Sequence, residues 1–271
     1  MAQREALSQV RISVRNLVEF VMRSGDLDDR RMAGAKKEAM QAGSRLHRKI
    51  QRRMGSDYQA EVSLKHTVKE DSFELLIEGR ADGIITEPGG VTIDEIKCIY
   101  MDPGRLEEPD PVHMAQALCY GTIYAVHHDL EEIGIQLTYC NIETEEIRRF
   151  KEVKTREELE DWFKGLIHEY VKWARYLYHH RMRRQECLKT LQFPYAYREG
   201  QKELAACVYR SVAEGRNLYI QAPTGVGKTL STVFPSLKAM GEGYGEKLFY
   251  LTARTITRSV AEEAFDILRG E

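Results

Sequence analysis

The sequence predicts a mixed α/β fold in two parts, and three observations carry that expectation. Apolar residues recur first at helical spacing, then at a period of two over three successive segments, then at helical spacing again. A long charged segment without a strand signal closes this first part. Beyond it a short apolar run meets a glycine-rich turn and a new helix, which opens a second unit.

The elements follow in order. From Val10 to Met22 the residues Val10, Ile12, Val14, Leu17, Val18 and Val21 recur at mostly helical spacing, and Ser24-Gly25-Asp26 ends that helix. A second helix is expected from about Met32 to Met54, stopping before Gly55-Ser56-Asp57. Glu61 to Thr67, Phe73 to Arg80 and Val91 to Lys97 read as strands, the last two joined through Glu87-Pro88-Gly89-Gly90. A helix from Val112 to His127 starts after Pro109-Asp110-Pro111, a strand spans Ile133 to Ile142, and a charged helix runs from Arg156 to Arg184. These elements make a mixed sheet flanked by helices, a domain over residues 1–186.

Residues 187–271 form the second domain. Leu218 to Gln221 and Lys247 to Thr252 read as short apolar strands on either side of a helix that begins at Lys228. So short a segment with two strands cannot close a doubly wound sheet, so the chain is expected to hold only the first part of that fold.

Composition narrows the function. The chain has 271 residues, is 42% hydrophobic and 30% charged, and carries a formal net charge of -2. A proper core is expected, and no global basic field marks a nucleic-acid binder, so any such surface must be local. The start of the chain is polar and lacks the apolar stretch of a secretory signal, and no apolar run has the length of a membrane helix. Five scattered cysteines without a Cys-x-x-Cys pair fit reduced thiols in a cytoplasm better than disulfides or a zinc site.

Cleaving a phosphodiester with a divalent metal requires hard oxygen ligands and a group that orients water. Asp82 closes one predicted strand in Glu78-Gly79-Arg80-Ala81-Asp82-Gly83, and Glu95 and Lys97 lie on the next in Asp94-Glu95-Ile96-Lys97. Residues two apart on a strand share a face, so Glu95 and Lys97 point the same way. A hairpin centred on Gly89-Gly90 brings Asp82 beside them. A lone Glu-x-Lys is a common solvated pair, and the Asp82 segment alone reads as a turn. Ordered across one hairpin, they are far more specific.

These segments, with Gln116 and Tyr120 downstream, resemble the RecB-like branch of the PD-(D/E)xK nucleases over residues 10 to 186. The resemblance implies a restriction-endonuclease-like sheet and catalysis by Asp82, Glu95 and Lys97. It further implies an upstream histidine ligand, matched by His47 in Gly43-Ser44-Arg45-Leu46-His47. By that analogy His47, Asp82, Glu95 and the carbonyl of Ile96 bind Mg²⁺ or Mn²⁺, and Lys97 steadies the attacking water. Asp94 is a weaker candidate. Gln116 and Tyr120, four apart on one helix face, are expected against the DNA backbone. His113, His127 and His128 read as surface residues. Arg175, Arg181, Arg183 and Arg184, interleaved with Tyr176 and Tyr178, form a basic stretch that could touch phosphates but reads first as a solvated helix face.

Ala222-Pro223-Thr224-Gly225-Val226-Gly227-Lys228-Thr229 has the form of a phosphate-binding loop between a strand and a helix. Its glycines let backbone N–H groups wrap phosphates, Lys228 reaches the β/γ oxygens, and Thr229 holds Mg²⁺. Phe193-Pro194-Tyr195 with Arg198-Glu199-Gly200-Gln201 resembles the adenine-sensing Q motif of XPD/DinG-like superfamily 2 helicases. Tyr250-Leu251-Thr252-Ala253-Arg254-Thr255 resembles their motif Ia. The resemblance implies an ATP site formed by Gln201, Thr224, Gly225, Gly227, Lys228 and Thr229, and a single-stranded DNA contact at Arg254.

The expectation is a RecB-like nuclease fused to the first part of a RecA-like helicase domain. Its partners would be DNA with single-stranded character and ATP with Mg²⁺, with no membrane, and its role DNA repair or processing. The rival is a nuclease fold that has lost activity and only grips DNA for the motor, against which the intact Asp82, Glu95 and Lys97 weigh. A small-molecule kinase built on the phosphate loop leaves the other motifs unexplained.

Overall fold

The computed structural model of the protein describes residues 8–25, 35–223, 225–253 and 255–270. It divides into two compact units, Met1–Arg175 and Tyr176–Glu271. In the first, β1 (Ser8–Ser13) runs directly into α1 (Val14–Val21), and α2 (Ala35–Arg53) precedes β2 (Tyr58–Lys69), β3 (Phe73–Glu87) and β4 (Gly90–Ile99). After a 3-10 turn come α3 (Pro111–His128), β5 (Glu132–Asn141), β6 (Ile147–Thr155) and α4 (Arg156–Thr190), whose residues from Tyr176 onward belong to the second unit.

Among the described residues six strands form one sheet in the order β1-β3-β4-β5-β6, with β2 on the opposite side of β3. The β1–β3 and β4–β5 pairs are parallel and the rest antiparallel, so the sheet is mixed. β5 is buried from Ile133 to Asn141 because β4 and β6 flank it and helices cover it. Leu46 and Ile50 of α2 pack on Ile96 and Cys140. On the other face α3 comes so close that a Cβ at Gly121 would stand 2.4 Å from Ile135 Cδ1.

Four elements differ from their sequence patterns. Val10 and Ile12 belong to a strand, not a helix: they alternate with Gln9 and Arg11, and β3 offers them a ladder. Ser13 starts the helix, its side chain accepting from the Asn16 amide at 3.1 Å. β3 runs on to Glu87, so Asp82 lies inside a strand, not at its end. β6 has no apolar alternation because it is an edge strand whose half-buried positions include Arg148, Glu152 and Lys154.

In the second unit the helices are α5 (Gln201–Ala213), α6 (Lys228–Gly241) and α7 (Thr255–Arg269). The strands expected at Leu218–Gln221 and Lys247–Thr252 are not formed. An extended segment becomes a strand only when a neighbour takes up its backbone hydrogen bonds. These two find no such neighbour among the described residues, and Tyr219 and Leu251 are 91% and 90% exposed.

Candidate active site

The site opens where strands part. β4 follows β3 from Gly90 to Asp94, opposite Glu87 to Gly83, and beyond Asp94 it pairs with β5 alone. β1 covers that same side of β3 only from Phe73 to Glu78. Gly79 to Asp82 therefore face a fork with no strand on that side among the described residues. Into it Ile96 turns its amide, which donates to Asp82 Oδ2 at 2.8 Å.

α2 closes the fork. Its buried Leu46 and Ile50 dock it, and the next residue after each, His47 and Gln51, turns toward Asp82. His47 Nε2 lies 3.1 Å from Asp82 Oδ2, and Nδ1 lies 3.8 Å from Glu61 Oε1. The hydrogen bond to Asp82 raises the His47 pKa, against a smaller opposing effect of burial. Gln51 Nε2 donates to the Asp82 carbonyl at 2.9 Å and to Glu61 Oε1 at 3.0 Å.

Glu95 and Lys97 share the face of β4 turned toward α3. Lys97 Nζ donates to Glu95 Oε1 at 2.8 Å and to Gln116 Oε1 at 2.6 Å. Burial, with Asp82 adding to it, pushes the Glu95 carboxyl up to about 7, while Lys97 opposes the rise. Glu95 Oε2 is buried and has no hydrogen-bond partner among the described residues. Gln116 is 4% exposed, so its amide serves Lys97 before anything in solvent. Tyr120 packs closely on Gly79, where a Cβ would meet its hydroxyl at 2.8 Å. Asp94 stands apart on the opposite face, accepting from Thr138 at 2.5 Å and Gln136 at 2.9 Å, with burial raising its pKa.

The donor set fits a divalent cation. His47, Glu61 and Asp82 each offer a ligand atom within 4.8 Å of the others. The unpartnered Glu95 oxygen adds a hard donor whose burial without a counterpart is costly. These groups line a cavity of about 1120 Å³ that also takes in Arg15, Arg48 and Arg80.

Three residues here escaped the sequence reading. Glu61 falls opposite Asp82 in the β2–β3 register, where the ladder skips it, and it adopts φ 58. Arg80 Nε pairs with Glu61 Oε2 at 2.5 Å. Gln51 lies four residues after His47, a spacing that could have revealed it. Glu61 was legible only through the register. His113 is not a plain surface residue: it is half-buried, and its Nδ1 lies 3.0 Å from the Tyr139 hydroxyl. Arg175 pairs with Glu70, and Arg181 and Arg184 with Glu246, so acids already occupy most of the basic face on α4.

In the second unit Gly225 and Gly227 hold φ of 86° and 74° ahead of α6, a conformation that favours glycine. Lys228 Nζ donates to the carbonyls of Ala222 at 2.9 Å and Pro223 at 2.6 Å. Gln201 accepts from the Arg198 amide at 3.0 Å, and Arg198 donates to the Gly225 carbonyl. The segment before α5 is thus tied to the glycine loop around a cavity of about 400 Å³ lined in part by Gly200, Gln201 and Val226. Thr229 is half-buried at the start of α6. Thr224 and Arg254 lie outside the described residues.

No model of a known protein family matches the chain. One curated relative, "Probable ATP-dependent helicase MJ0942" of Methanocaldococcus jannaschii, is 47% identical over 47 residues, which is 17% of this chain and 7% of that protein. The chain thus spans a small fraction of that relative's length. Two solved structures each align with 62% of the chain. "Crystal structure of SSO0001" does so at 20% identity and a TM-score of 0.39, over 77% of its own chain. An alkaline exonuclease, LHK-Exo, from Laribacter hongkongensis does so at 14% identity and a TM-score of 0.33, over 92% of its own chain. Likenesses this weak leave the functional reading to the side-chain geometry. Among the described residues no helix is long and apolar enough to cross a membrane.

Proposed function

We infer that the first unit is a divalent-cation-dependent DNA nuclease of the PD-(D/E)xK type. One observation carries the reading: Asp82, Glu95, Lys97 and His47 meet at a single strand fork, with one Glu95 oxygen buried and unpartnered. His47, Asp82, Glu95 and the Ile96 carbonyl would hold Mg²⁺ or Mn²⁺, and the imidazole among oxygen donors favours Mn²⁺. Such a cation, when bound, supplies Lewis-acid activation of water and neutralisation of phosphate charge.

The protein's own groups do the rest. Ile96 fixes one oxygen of Asp82 through its amide, leaving the other free to turn outward. Lys97 is a donor without a lone pair at neutral pH, so it orients water and offsets negative charge as the phosphorane develops. Gln116 holds the Lys97 ammonium in place from α3. The backbone of α2 brings His47 to the same point. The rival, an inactive fold that only grips DNA, has no use for a lysine so held.

The test uses end-labelled single- and double-stranded DNA with Mn²⁺, Mg²⁺ or EDTA. Cleavage requires the cation and is lost in Asp82→Ala. Cutting that survives EDTA or that substitution removes the assignment, and DNA binding without cutting selects the grip-only fold.

The second unit is read as a holder of ATP phosphates in a helicase motor, on the strength of the glycine loop tied to Gln201. Binding of a fluorescent ATP analogue, lost in Lys228→Ala, is the expected result; unchanged binding refutes it.

A further inference from the structure

α2 carries Arg45, Arg48, Lys49, Arg52 and Arg53, all exposed. At about 100° per residue, Leu46 and Ile50 mark the buried side of the helix, and His47 and Gln51 turn toward the fork. Arg48 comes next round the helix, followed by Arg52, Arg45, Lys49 and Arg53. These five side chains line a solvent-open cavity of about 460 Å³, and Arg48 also lines the fork. Glu145 pairs with Lys49 and Arg53. Arg48 donates to the Ser44 carbonyl of its own helix. Arg45, Arg48 and Arg52 have no carboxylate partner among the described residues.

A protein of net charge -2 that places five cations between Arg45 and Arg53 of one helix has concentrated its positive field there. The stretch from Arg45 to Arg53 is about 12 Å long, room for about two phosphates of one extended strand. We propose that this arc is a phosphate track that takes the nucleic-acid strand leading to the fork and holds it by its backbone without reading bases. The proposal rests on the nuclease reading for its direction, because Arg48 joins the arc to the catalytic groups. An anionic membrane would also meet such charges, but the arc's continuity with the cleft favours a strand that must enter it. Guanidinium forks suit phosphate oxygens, and Glu145 keeps only the far edge of the arc neutral.

The test is the Arg45→Gln/Arg52→Gln double variant of the full chain, which leaves the fork untouched. Affinity for a labelled oligothymidylate is measured by anisotropy in EDTA across a salt series. Two lost phosphate contacts predict a log–log salt slope shallower by about 1.4 and affinity about tenfold weaker at moderate salt. Hydrolysis of bis(p-nitrophenyl) phosphate with Mn²⁺ should be unchanged, since that diester is too short to reach the arc. An unchanged salt slope overturns the track. So does loss of phosphatidylserine-vesicle binding at constant oligothymidylate affinity, which assigns the arc to membranes. Should the parent chain hydrolyse neither diester nor DNA, the nuclease reading fails, while the salt slope still decides the track.

Discussion

The Ile96 amide donates to the Asp82 carboxylate across a gap that exists only because β4 leaves β3 at the preceding residues. A backbone donor that should complete a sheet instead fixes a side chain. The same bond therefore supports the fold and orients the site. Asp82→Asn keeps an oxygen for that amide, whereas Asp82→Ala leaves a half-buried N–H without an acceptor. The Ala variant is expected to be less stable than the Asn variant by about 1 kcal/mol or more in EDTA. Urea unfolding of the two variants checks this, and equal midpoints would mean the amide finds another partner.

Lys97 is held from two sides, by Glu95 and by Gln116. Lys97→Ala should lower cleavage by about a hundredfold or more, since it removes an electrostatic donor from the reacting centre. It should leave DNA affinity and Mn²⁺ binding nearly intact. Gln116→Leu keeps the ammonium but frees it to move, so a smaller loss, about tenfold, is expected. Single-turnover rates with saturating Mn²⁺ on both variants give the comparison. A parent-like rate for Lys97→Ala would reduce it to a surface charge.

His66 on β2 sits half-buried against Phe163, with ring centroids 5.5 Å apart, and near His127 at 6.4 Å. Burial lowers its pKa below 6.5, and His127 lowers it further. The unfolded chain therefore takes up the proton first on acidification. The resulting stability is fully present above about pH 6.5 and declines as pH falls through and below that value. His66→Gln should lose less stability than the parent between about pH 7.5 and pH 5.5. Chemical denaturation at several pH values measures the difference, and parallel losses would show that His66 does not titrate differently on folding.

Much of this arrangement could be read from the chain. Glu95 and Lys97 two apart on an apolar strand, and His47 beside Leu46 on a helix, carry their geometry in their spacing. What stayed hidden depends on neighbours. Whether Val10 and Ile12 make a strand depends on β3 being available, since the same residues also fit a helix. β6 is an edge strand with charged residues on both faces, so no apolar alternation announces it. Leu218–Gln221 and Lys247–Thr252 have strand composition, yet composition cannot supply the partner that makes a ladder. Glu61 reaches the site through a register set by the turn after Lys69, which no local pattern near Glu61 reveals.

Glu61 combines strain with chemistry, and the two can be separated. It occupies φ 58, a left-handed conformation that costs a side-chain-bearing residue about 1–2 kcal/mol relative to glycine. It also faces His47 and Asp82 while Arg80 neutralises it from the solvent side. If Glu61 serves the cation, its carboxylate must be shared between that cation and Arg80. Three variants then behave differently. Glu61→Gly relieves the backbone and should be more stable than Glu61→Ala by about 1 kcal/mol. Both should bind Mn²⁺ more weakly than the parent, because each loses the same oxygen ligand. Arg80→Ala should bind Mn²⁺ more tightly, because it removes the competing guanidinium and leaves the carboxylate in place. Calorimetric Mn²⁺ titrations and denaturant melts on the three variants provide both readouts. Unchanged Mn²⁺ affinity in Glu61→Gly and Glu61→Ala would leave Glu61 as a strained anchor for Arg80 and Gln51, with the cation held by His47, Asp82, Glu95 and the Ile96 carbonyl.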